Sequence, residues 1–304
     1  MALTDKLSAI GNAIRAKTGG TDMLTLDQMP TAIAGIQTGS GSGGDYNIIV
    51  TNNSDGTQSF AITDASGSSG GSGFWDEDYV KKFIQRDDTV TSIVFPDGLT
   101  QIGKYSFGGF YYLNIDALPD TIQAIKEGAF RGCTRLALTS LPENIEVIEG
   151  FAFYNCINLA LTQLPSGLTK IDMSCFRNCE NMPLASLPNG ITRIDSNAFD
   201  GCSNLTISKL SDALVTLGSS CFSNCTQLAI AEIPASVTTI YGNAFYGCVG
   251  LTSITFNGTP TSIASTAFKN CTNITDIYVP WADGAVANAP WGATNATIHY
   301  NTTT

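Results

Sequence analysis

The sequence predicts a repeat solenoid of mixed α/β type, and three observations support this fold class. A unit of 23 residues recurs eight times from Phe95 onwards without an insertion. Each unit carries large apolar residues at the same positions, so stacked units share a core that no single unit could bury. Proline at one position of most units, and Gly or Asn at another, mark the bends of the backbone.

Positions separated by one repeat length form columns along the solenoid. One column is Phe in every unit: Phe107, Phe130, Phe153, Phe176, Phe199, Phe222, Phe245 and Phe268. We predict a short strand in each unit, at Leu136 to Leu141 in one copy, then a proline bend and a second extended piece at Ile145 to Ile148. A single helical turn near Phe153 follows, and the Gly or Asn two residues after Phe closes it in the left-handed conformation.

All nine cysteines occupy repeat positions. Seven form one column, and two take the small position before Phe: Cys133, Cys156, Cys179, Cys202, Cys225, Cys248 and Cys271, with Cys175 and Cys221. These thiols can act as small buried apolar residues, or they can bind metal or form disulfides between turns. The C-x-x-x-C spacing and the lack of a nearby His disfavour zinc, and we expect no metal or cofactor. Nine core thiols suggest folding in a reducing compartment.

Six segments flank the solenoid, which we place at residues 93–278. They are a helical attachment module (1–38), a Gly/Ser linker (39–44), a β-hairpin that is a possible oligomerisation unit (45–65), a second Gly/Ser linker (66–73), an N-terminal helical cap (74–92) and a C-terminal cap (279–304). Caps are expected because an open solenoid end exposes its core and unpaired strand edges. Trp281 and Trp291 in the last segment can cover the core or, if exposed, bind a sugar face.

The sequence carries little that resembles catalytic chemistry. The one histidine, His299, lies outside the repeats and has no accompanying nucleophile motif. Glu127, Glu149, Asp172 and Asp195 lie in neighbouring columns and offer a possible glycosidase-like carboxylate pair. Solvated charges on successive turns are the simpler interpretation, so we expect a protein that is not an enzyme.

Charge and hydropathy limit the partners. The formal net charge is −11, which disfavours nucleic acid and anionic membranes because both require clustered Lys and Arg. No apolar run is long enough to span a bilayer, and the first residues lack the apolar segment of a signal peptide. We therefore expect no membrane insertion and folding in the cytoplasm of the producing cell.

Two segments of the chain resemble known families. The pattern L-P-x-x-I-x-x-I-x-x-x-A-F-x-x-C-x-x-L at Leu118 to Leu136 resembles the BspA-type leucine-rich repeat. That resemblance implies a curved, strand-lined, right-handed solenoid of the kind found on microbial surface proteins. Residues 1–38, including LTDKLSAIGNAIRAKTGG, resemble an N-terminal module of tail and baseplate-associated proteins from phages of Gram-positive hosts, which implies an attachment end.

Together these observations favour a non-enzymatic phage or prophage tail fibre or receptor-binding protein. Its solenoid would contact a bacterial surface protein or glycan, residues 1–38 would bind other tail proteins, and the fibre would be a homo-oligomer, with a trimer expected. It would reside in the virion and leave the host by lysis. A cellular BspA-type adhesin or interaction module is the alternative, and a cell-wall polysaccharide hydrolase is a minor one.

The sequence does not identify the binding face of the solenoid. Tyrosines in the turns are candidates, because aromatic rings with polar tips are favoured at binding surfaces, although they are equally common as half-buried packing. They are Tyr105, Tyr111, Tyr112, Tyr154, Tyr241 and Tyr246.

Overall fold

The computed structural model describes residues 46–52, 58–64, 74–75, 90–95 and 98–302. The predicted attachment module at 1–38 and both Gly/Ser linkers lie outside these residues. Within them the backbone forms sixteen strands, β1 to β16, in four sheets, and no helix. It follows that none of the described segments is a helix able to cross a bilayer.

The first two strands form the expected hairpin, and the hairpin joins the solenoid. Strand β1 (Tyr46–Asn52) pairs antiparallel with β2 (Gln58–Asp64), from Tyr46 opposite Asp64 to Asn52 opposite Gln58. Strand β2 then pairs in parallel with a strand at Val90–Val94, which becomes β4 in chain order. The hairpin therefore finds a partner for one edge within its own chain, while β1 remains the edge of a sheet ordered β1-β2-β4.

The prediction that the N-terminal cap begins as a helix at Phe74 is wrong. Phe74–Trp75 is a strand, β3, which pairs in parallel with β5 (Gln101–Ile102). Pairing supplies hydrogen-bond partners to backbone groups that the first strand of the ladder would otherwise leave open at its edge. Residues 76–89 of the predicted cap lie outside the described part of the chain, and its last residues, 90–92, belong to strand β4 and are not helical.

One short strand per turn builds the main ladder, at the second extended piece that the repeat predicts. The strands after β5 are β6 (Ala124–Ile125), β7 (Val147–Ile148), β8 (Lys170–Ile171), β9 (Arg193–Ile194), β10 (Thr216–Leu217), β12 (Thr239–Ile240) and β14 (Ser262–Ile263). Neighbours pair in parallel, in the orders β3-β5-β6-β7 and β8-β9-β10-β12-β14. The second residue of each strand, Ile or Leu, is buried in the core.

The prediction of a strand at Leu136 to Leu141 is wrong, because these residues form no strand. The equivalent residues form strands in the last turns of the solenoid. There the strands β11 (Glu232–Ile233), β13 (Ser253–Phe256), β15 (Asp276–Tyr278) and β16 (Thr297–His299) form a second parallel sheet. The Asn257 amide donates to the Ile233 carbonyl at 3.0 Å. Pro142 occupies the same column as Asn257 and has no N–H, so its copy lacks this ladder bond.

The helical turn predicted near Phe153 is also wrong, because the backbone there forms linked turns. The Tyr154 amide donates to the Phe151 carbonyl at 3.1 Å, a bond between residues three apart. The Phe153 amide instead donates to the Cys175 carbonyl in the next turn at 2.9 Å. Alternate amides thus point along the solenoid axis, and the bonds of an α-helix between residues four apart cannot form. The described fold is consequently a β-type solenoid.

The predicted left-handed column is confirmed at every copy. The residues two after Phe all have positive φ, between 58° and 83°: Gly109, Gly132, Asn155, Asn178, Gly201, Asn224, Gly247 and Asn270. A second positive-φ column, which the sequence did not predict, lies four residues earlier and contains Tyr105, Gly128, Phe151, Ser174, Asn197, Ser220 and Asn243. Two left-handed residues per turn explain how the chain reverses direction without a helix.

The Phe column forms one continuous stack through the core. Neighbouring ring centroids are 5.0 to 5.6 Å apart, with planes within 18° of parallel. The segment after Val279, predicted as a C-terminal cap, adds a further turn to the stack. The Phe268 amide donates to the Trp291 carbonyl at 2.9 Å, and Trp291 is fully buried where the next Phe would lie.

Candidate functional site

Three residues of one column form an aromatic sandwich on the turn face of the solenoid. Arg131, Tyr154 and Arg177 follow one another at the repeat spacing, so the stacking of turns places their side chains in a row. The Arg131 guanidinium lies 5.1 Å from the centre of the Tyr154 ring, and the Arg177 guanidinium lies 5.9 Å from it. Both distances lie within the range of about 6 Å over which a cation is attracted to a ring face.

The two arginines of the sandwich differ in their charge partners. Arg177 Nε lies 3.0 Å from a carboxylate oxygen of Asp200, the next residue of the same column. Arg131 has no ion pair with a carboxylate among the described residues, and neither has Arg135, whose guanidinium lies 4.5 Å from the centre of the Tyr112 ring. Both Arg131 and Arg135 are exposed, so two guanidiniums remain available to an anion.

A groove of about 330 Å³ opens beside Arg131. Its walls are Tyr105, Tyr111, Arg131 and Tyr154, and its floor includes the backbone of three glycines, Gly108, Gly109 and Gly132. Later turns carry a side chain at the position of Gly108, such as Asp200 and Ser223. The groove exists because the first turn of this column lacks a side chain while its neighbours carry large ones. We call this feature the Tyr/Arg groove.

Tyr105 is held in position at the rim of the groove. Its ring occupies the space that a side chain at Gly128 would take. Its hydroxyl donates to Glu127 Oε1 at 2.9 Å. Partial burial and this hydrogen bond raise the pKa of Tyr105, and the positive charge of Arg131 acts in the opposite direction. The rim is therefore preformed, with its hydroxyl protonated at neutral pH.

A row of amide side chains continues from Arg135 along the next turns. The Asn181 side chain donates to Asn158 at 3.0 Å, and Gln227 donates to Asn204 at 2.9 Å. These residues share one column with Arg135. Beyond Arg135 this column is thus polar and uncharged, with amide groups that can both donate and accept hydrogen bonds.

The four carboxylates of the predicted glycosidase-like pair each contact a cation. The ion pairs are Lys104 with Glu127 at 3.3 Å, Lys126 with Glu149 at 3.0 Å, Lys170 with Asp172 at 2.7 Å and Arg193 with Asp195 at 2.8 Å. The first two join neighbouring turns, and the last two join residues two apart on one turn. Contacts of this kind are those expected for solvated charges on the surface of a repeat protein.

Asp172 and Asp195 nevertheless titrate differently. Burial raises the pKa of Asp172, but hydrogen bonds from Lys170 and the Met173 amide outweigh it, and the pKa lies below the ordinary value. Burial raises the pKa of Asp195, and the neighbouring Asp172 charge raises it further against the opposing effect of Arg193.

The described residues contain no group of His, Cys, Asp and Glu side chains that could hold a metal ion.

The cysteine column lies in the core, apart from the groove. All nine thiols are buried and unbonded to one another. Each of the seven column thiols donates to the carbonyl of a Phe in the previous turn, as Cys179 does to Phe153 at 3.1 Å. Burial raises the pKa of these thiols, as at Cys156, where it lies well above 9.0. Their geometry is that of small core residues with a satisfied S–H group.

The C-terminal turn buries the tryptophans that the sequence offered as sugar-binding rings. Trp281 is 6% exposed, and its ring centroid lies 5.3 Å from that of Phe256. Trp291 Nε1 donates to the Ala287 carbonyl at 2.7 Å. His299 lies on the surface of this turn, and its Nε2 is 2.7 Å from an oxygen of Asp276. The tryptophans cover the end of the core and present no ring face to a sugar.

The structure brings together three of the six candidate tyrosines, Tyr105, Tyr111 and Tyr154, and adds arginines that the sequence-based prediction missed. Tyr241 and Tyr246 lie several turns away. A signal for the arginines existed, since arginine and tyrosine alternate in the column that contains Tyr154. Reading columns for exposed residues as well as for core residues would have found it.

The chain belongs to the BspA-type leucine-rich repeat family. The family, described as "BspA type Leucine rich repeat region (6 copies)", matches residues 80–206 and 169–283, which together exceed half of the chain. This match confirms the resemblance carried by Leu118 to Leu136. It does not extend to residues 1–38, so the resemblance of that segment to phage tail proteins gains no support from it.

A solved structure shows the same fold. The chain is similar to a leucine-rich repeat protein from Bacteroides ovatus, with 23% identity and a TM-score of 0.55 over 70% of this chain and 55% of that chain. It is also similar to a leucine-rich cell surface protein from Faecalibacterium prausnitzii, with 27% identity and a TM-score of 0.46 over 64% and 61%. The chain thus spans less than two thirds of either protein. A search of curated proteins finds no match.

Proposed function

We propose that this protein is a non-enzymatic binding protein whose solenoid contacts a partner on the bacterial cell surface. The Tyr/Arg groove is the observation that carries this proposal. Arg131 and Arg135 are exposed without a carboxylate partner among the described residues, and Tyr111 is 52% exposed. None of these side chains lies in the core. Exposed Tyr and Arg are among the residue types that dominate binding energy at protein surfaces.

The test of this proposal is binding of the full-length protein, labelled with a fluorophore, to intact Gram-positive cells. Saturable binding that unlabelled protein displaces is the expected result. Linear, non-displaceable uptake at all concentrations would contradict a specific surface receptor. A heat-denatured sample controls for adhesion of exposed apolar residues.

We propose a phage or prophage tail as the setting, with the solenoid as the receptor-binding part and residues 1–38 as the attachment end. The support is the resemblance of residues 1–38 and the Gly/Ser segments that follow them. A cellular BspA-type adhesin fits the family match equally well. Mass spectrometry of virions purified from an induced lysogen should detect the protein. Antibody labelling of intact uninduced cells would instead favour the adhesin.

The proposed fibre is a homo-oligomer, with a trimer expected. Strand β1 supports association because it forms an outer edge of its sheet. Light scattering on a sizing column measures the mass of the full-length chain directly. A trimer corresponds to three times 32.0 kDa, and a mass of one chain at all concentrations would contradict self-association.

A hydrolase is the second candidate function, since Asp172 and Asp195 are neighbouring carboxylates whose pKa values are shifted in opposite directions. Such a separation is a property of acid and base pairs in glycosidases. Their cation contacts favour the structural explanation. We expect no release of reducing sugars from purified cell walls. Release that the Asp172→Asn variant abolishes would establish the enzyme.

A further inference from the structure

We propose that the Tyr/Arg groove binds an acidic saccharide, with the anionic group on Arg131 and a sugar ring against Tyr111. This proposal rests on the binding function proposed above, and it adds the location of the site and the class of ligand. The anion is a carboxylate or a phosphate borne by the sugar. Both present paired oxygens to the N–H edge of a guanidinium.

The charge of Arg131 is the first argument. The chain carries 26 acidic and 15 basic residues, so carboxylates are available in excess, yet Arg131 and Arg135 pair with none among the described residues. The Arg131 guanidinium is held between the Tyr154 ring and a hydrogen bond with the Tyr105 side chain, and no carboxylate among the described residues pairs with it. A guanidinium held in this way loses little conformational entropy when it forms two parallel hydrogen bonds to an anion.

The shape of the groove is the second argument. Its volume of about 330 Å³ suits one or two sugar units and lies within the range of small-ligand sites. Glycine at three floor positions lets a ligand approach the backbone. Tyr111, which is exposed, offers an apolar ring face and a polar hydroxyl, which match the C–H face and the hydroxyl groups of a sugar. The Tyr154 ring is covered by Arg131 and Arg177, so it positions Arg131 and does not stack on the ligand.

The surface beyond the groove favours a saccharide over a protein partner. From Arg135 the column continues as Asn158, Asn181, Asn204 and Gln227, which are polar and uncharged. The buried core of a protein interface is more apolar than the surrounding surface, and this column supplies no apolar side chain. The turns repeat at 5.0 to 5.6 Å, measured between Phe centroids, a spacing close to the length of one sugar unit. A polymer can therefore follow the amide groups turn by turn.

The net charge argues against nucleic acid as the ligand. A polyanion with one charge per nucleotide would face a chain of formal charge −11. Two guanidiniums without carboxylate partners, on one turn, suit a ligand with few charges. An oligonucleotide is nevertheless included in the test, because rings and arginines also stack on bases.

The test is isothermal titration of the full-length protein with four probes. They are a tetrasaccharide of galacturonic acid, a maltotetraose that bears a phosphate, the neutral maltotetraose and a tetranucleotide of thymidine. The expected result is binding of one or both of the first two, and at least about tenfold weaker binding of maltotetraose, as loss of a charged hydrogen-bonded pair implies. The preferred acidic probe distinguishes carboxylate from phosphate. Equal binding of the neutral sugar, or tighter binding of the nucleotide, would overturn the proposal.

Variants locate the site. Arg131→Gln should lower the affinity for the acidic probe about tenfold or more. Tyr111→Ser should also lower this affinity, with little change in folding because Tyr111 is exposed. Lys209→Gln removes the same charge from a remote exposed residue and should leave the affinity unchanged. Circular dichroism and thermal unfolding check that each variant is folded. Unchanged affinity in both folded groove variants would overturn the proposal.

The cell-binding assay separates this proposal from the function on which it rests. If wild-type protein and Arg131→Gln bind cells equally and no acidic probe binds, the groove assignment fails while the surface-binding function stands. If acidic probes bind at the groove but no cell binding is detected, the groove assignment stands and the surface-binding function fails.

Discussion

At the scale of single residues, buried thiols make the stability of this protein depend on alkaline pH. Nine thiols are buried, and burial raises the pKa of each in the folded state, well above 9.0 for Cys156 and Cys179 and to about 12 for Cys271. In the unfolded chain the thiols ionise near 9.0. Stability is therefore fully present below pH 9 and falls as the pH rises above it, because only the unfolded state gains from ionisation.

Replacing two thiols should reduce this pH dependence in a measurable way. Cys175 and Cys221 occupy a position where five other copies have Ala, so Cys175→Ala with Cys221→Ala is compatible with the repeat. Between pH 7 and pH 10 the protein loses unfolding free energy, and each thiol removed should make that loss smaller by about 1.4 kcal/mol, roughly 3 kcal/mol for the pair. Urea unfolding at both pH values measures it. Parallel pH curves for wild type and variant would show that the thiols are not the cause.

The missing side chain at Gly128 leaves the space that the Tyr105 ring occupies at the rim of the groove. A methyl group at Gly128 should therefore displace the ring. Gly128 has φ +61°, and an added Cβ would overlap the Tyr105 ring. We expect Gly128→Ala to cost about 1–3 kcal/mol of unfolding free energy. Gly284→Ala is the matched control, because Gly284 has φ +81° with nothing within 4 Å. Equal losses in the two variants would mean that backbone strain alone, without the ring contact, sets the cost.

At the scale of elements, the proline column removes one ladder bond from most turns. Copies with Pro after the repeat start have no amide at that position, whereas the copy with Asn257 has one and donates it to β11. Proline alone does not decide the strand, since β11 forms before Pro234 and the copy with Ser211 forms none. The repeat pattern predicted two extended pieces in every turn. The piece that contains the Ile column is a strand as predicted, whereas the piece before the proline position is a strand in the last turns and not in the middle ones. Sequence periodicity identifies positions of the same environment, but a strand also requires a donor in each turn.

Asn257→Pro should remove the bond that joins the end of β13 to β11. The Asn257 amide donates to Ile233 at 3.0 Å, and we expect a loss of about 1–3 kcal/mol because the carbonyl is left without this donor. Asn257→Ala keeps the amide and loses only the side-chain hydrogen bond to Glu232 at 2.8 Å, so it serves as the control. Thermal unfolding followed by circular dichroism compares them. A proline variant as stable as the alanine variant would contradict the role given to this amide.

At the scale of the whole molecule, the fixed period makes the solenoid modular. Each turn contacts mainly its neighbours, as the hydrogen bonds between residues 22 to 26 apart show. A solenoid of this kind has a stability that is close to a sum over turns and the contacts between them. Loss of a complete turn should therefore shorten the core without disrupting it.

Deleting residues 165–187 removes one complete period and joins identical columns. We expect a folded protein with a cooperative transition and a lower unfolding free energy. Deleting residues 165–186 removes one residue fewer and leaves one turn with an extra residue, so the columns before and after that turn are out of register by one position. We expect this variant to have a lower unfolding free energy than the complete deletion, which circular dichroism and thermal unfolding measure. Equal stability of the two deletions would contradict the stacked-column core.

The sequence by itself determined the period, the Phe core, the left-handed Gly and Asn column and the burial of the cysteines, because these depend only on what recurs in every repeat. The tertiary structure alone decided where backbone hydrogen bonds run. It replaced the expected helix at Phe153 with turns, paired β2 with β4, and added a turn around Trp291. It also formed the Tyr/Arg groove, since the contact of Arg131 with Tyr154 exists only when neighbouring turns stack. Recurrence along the chain specifies environments, whereas the direction of each donor and the meeting of exposed side chains depend on the geometry between turns.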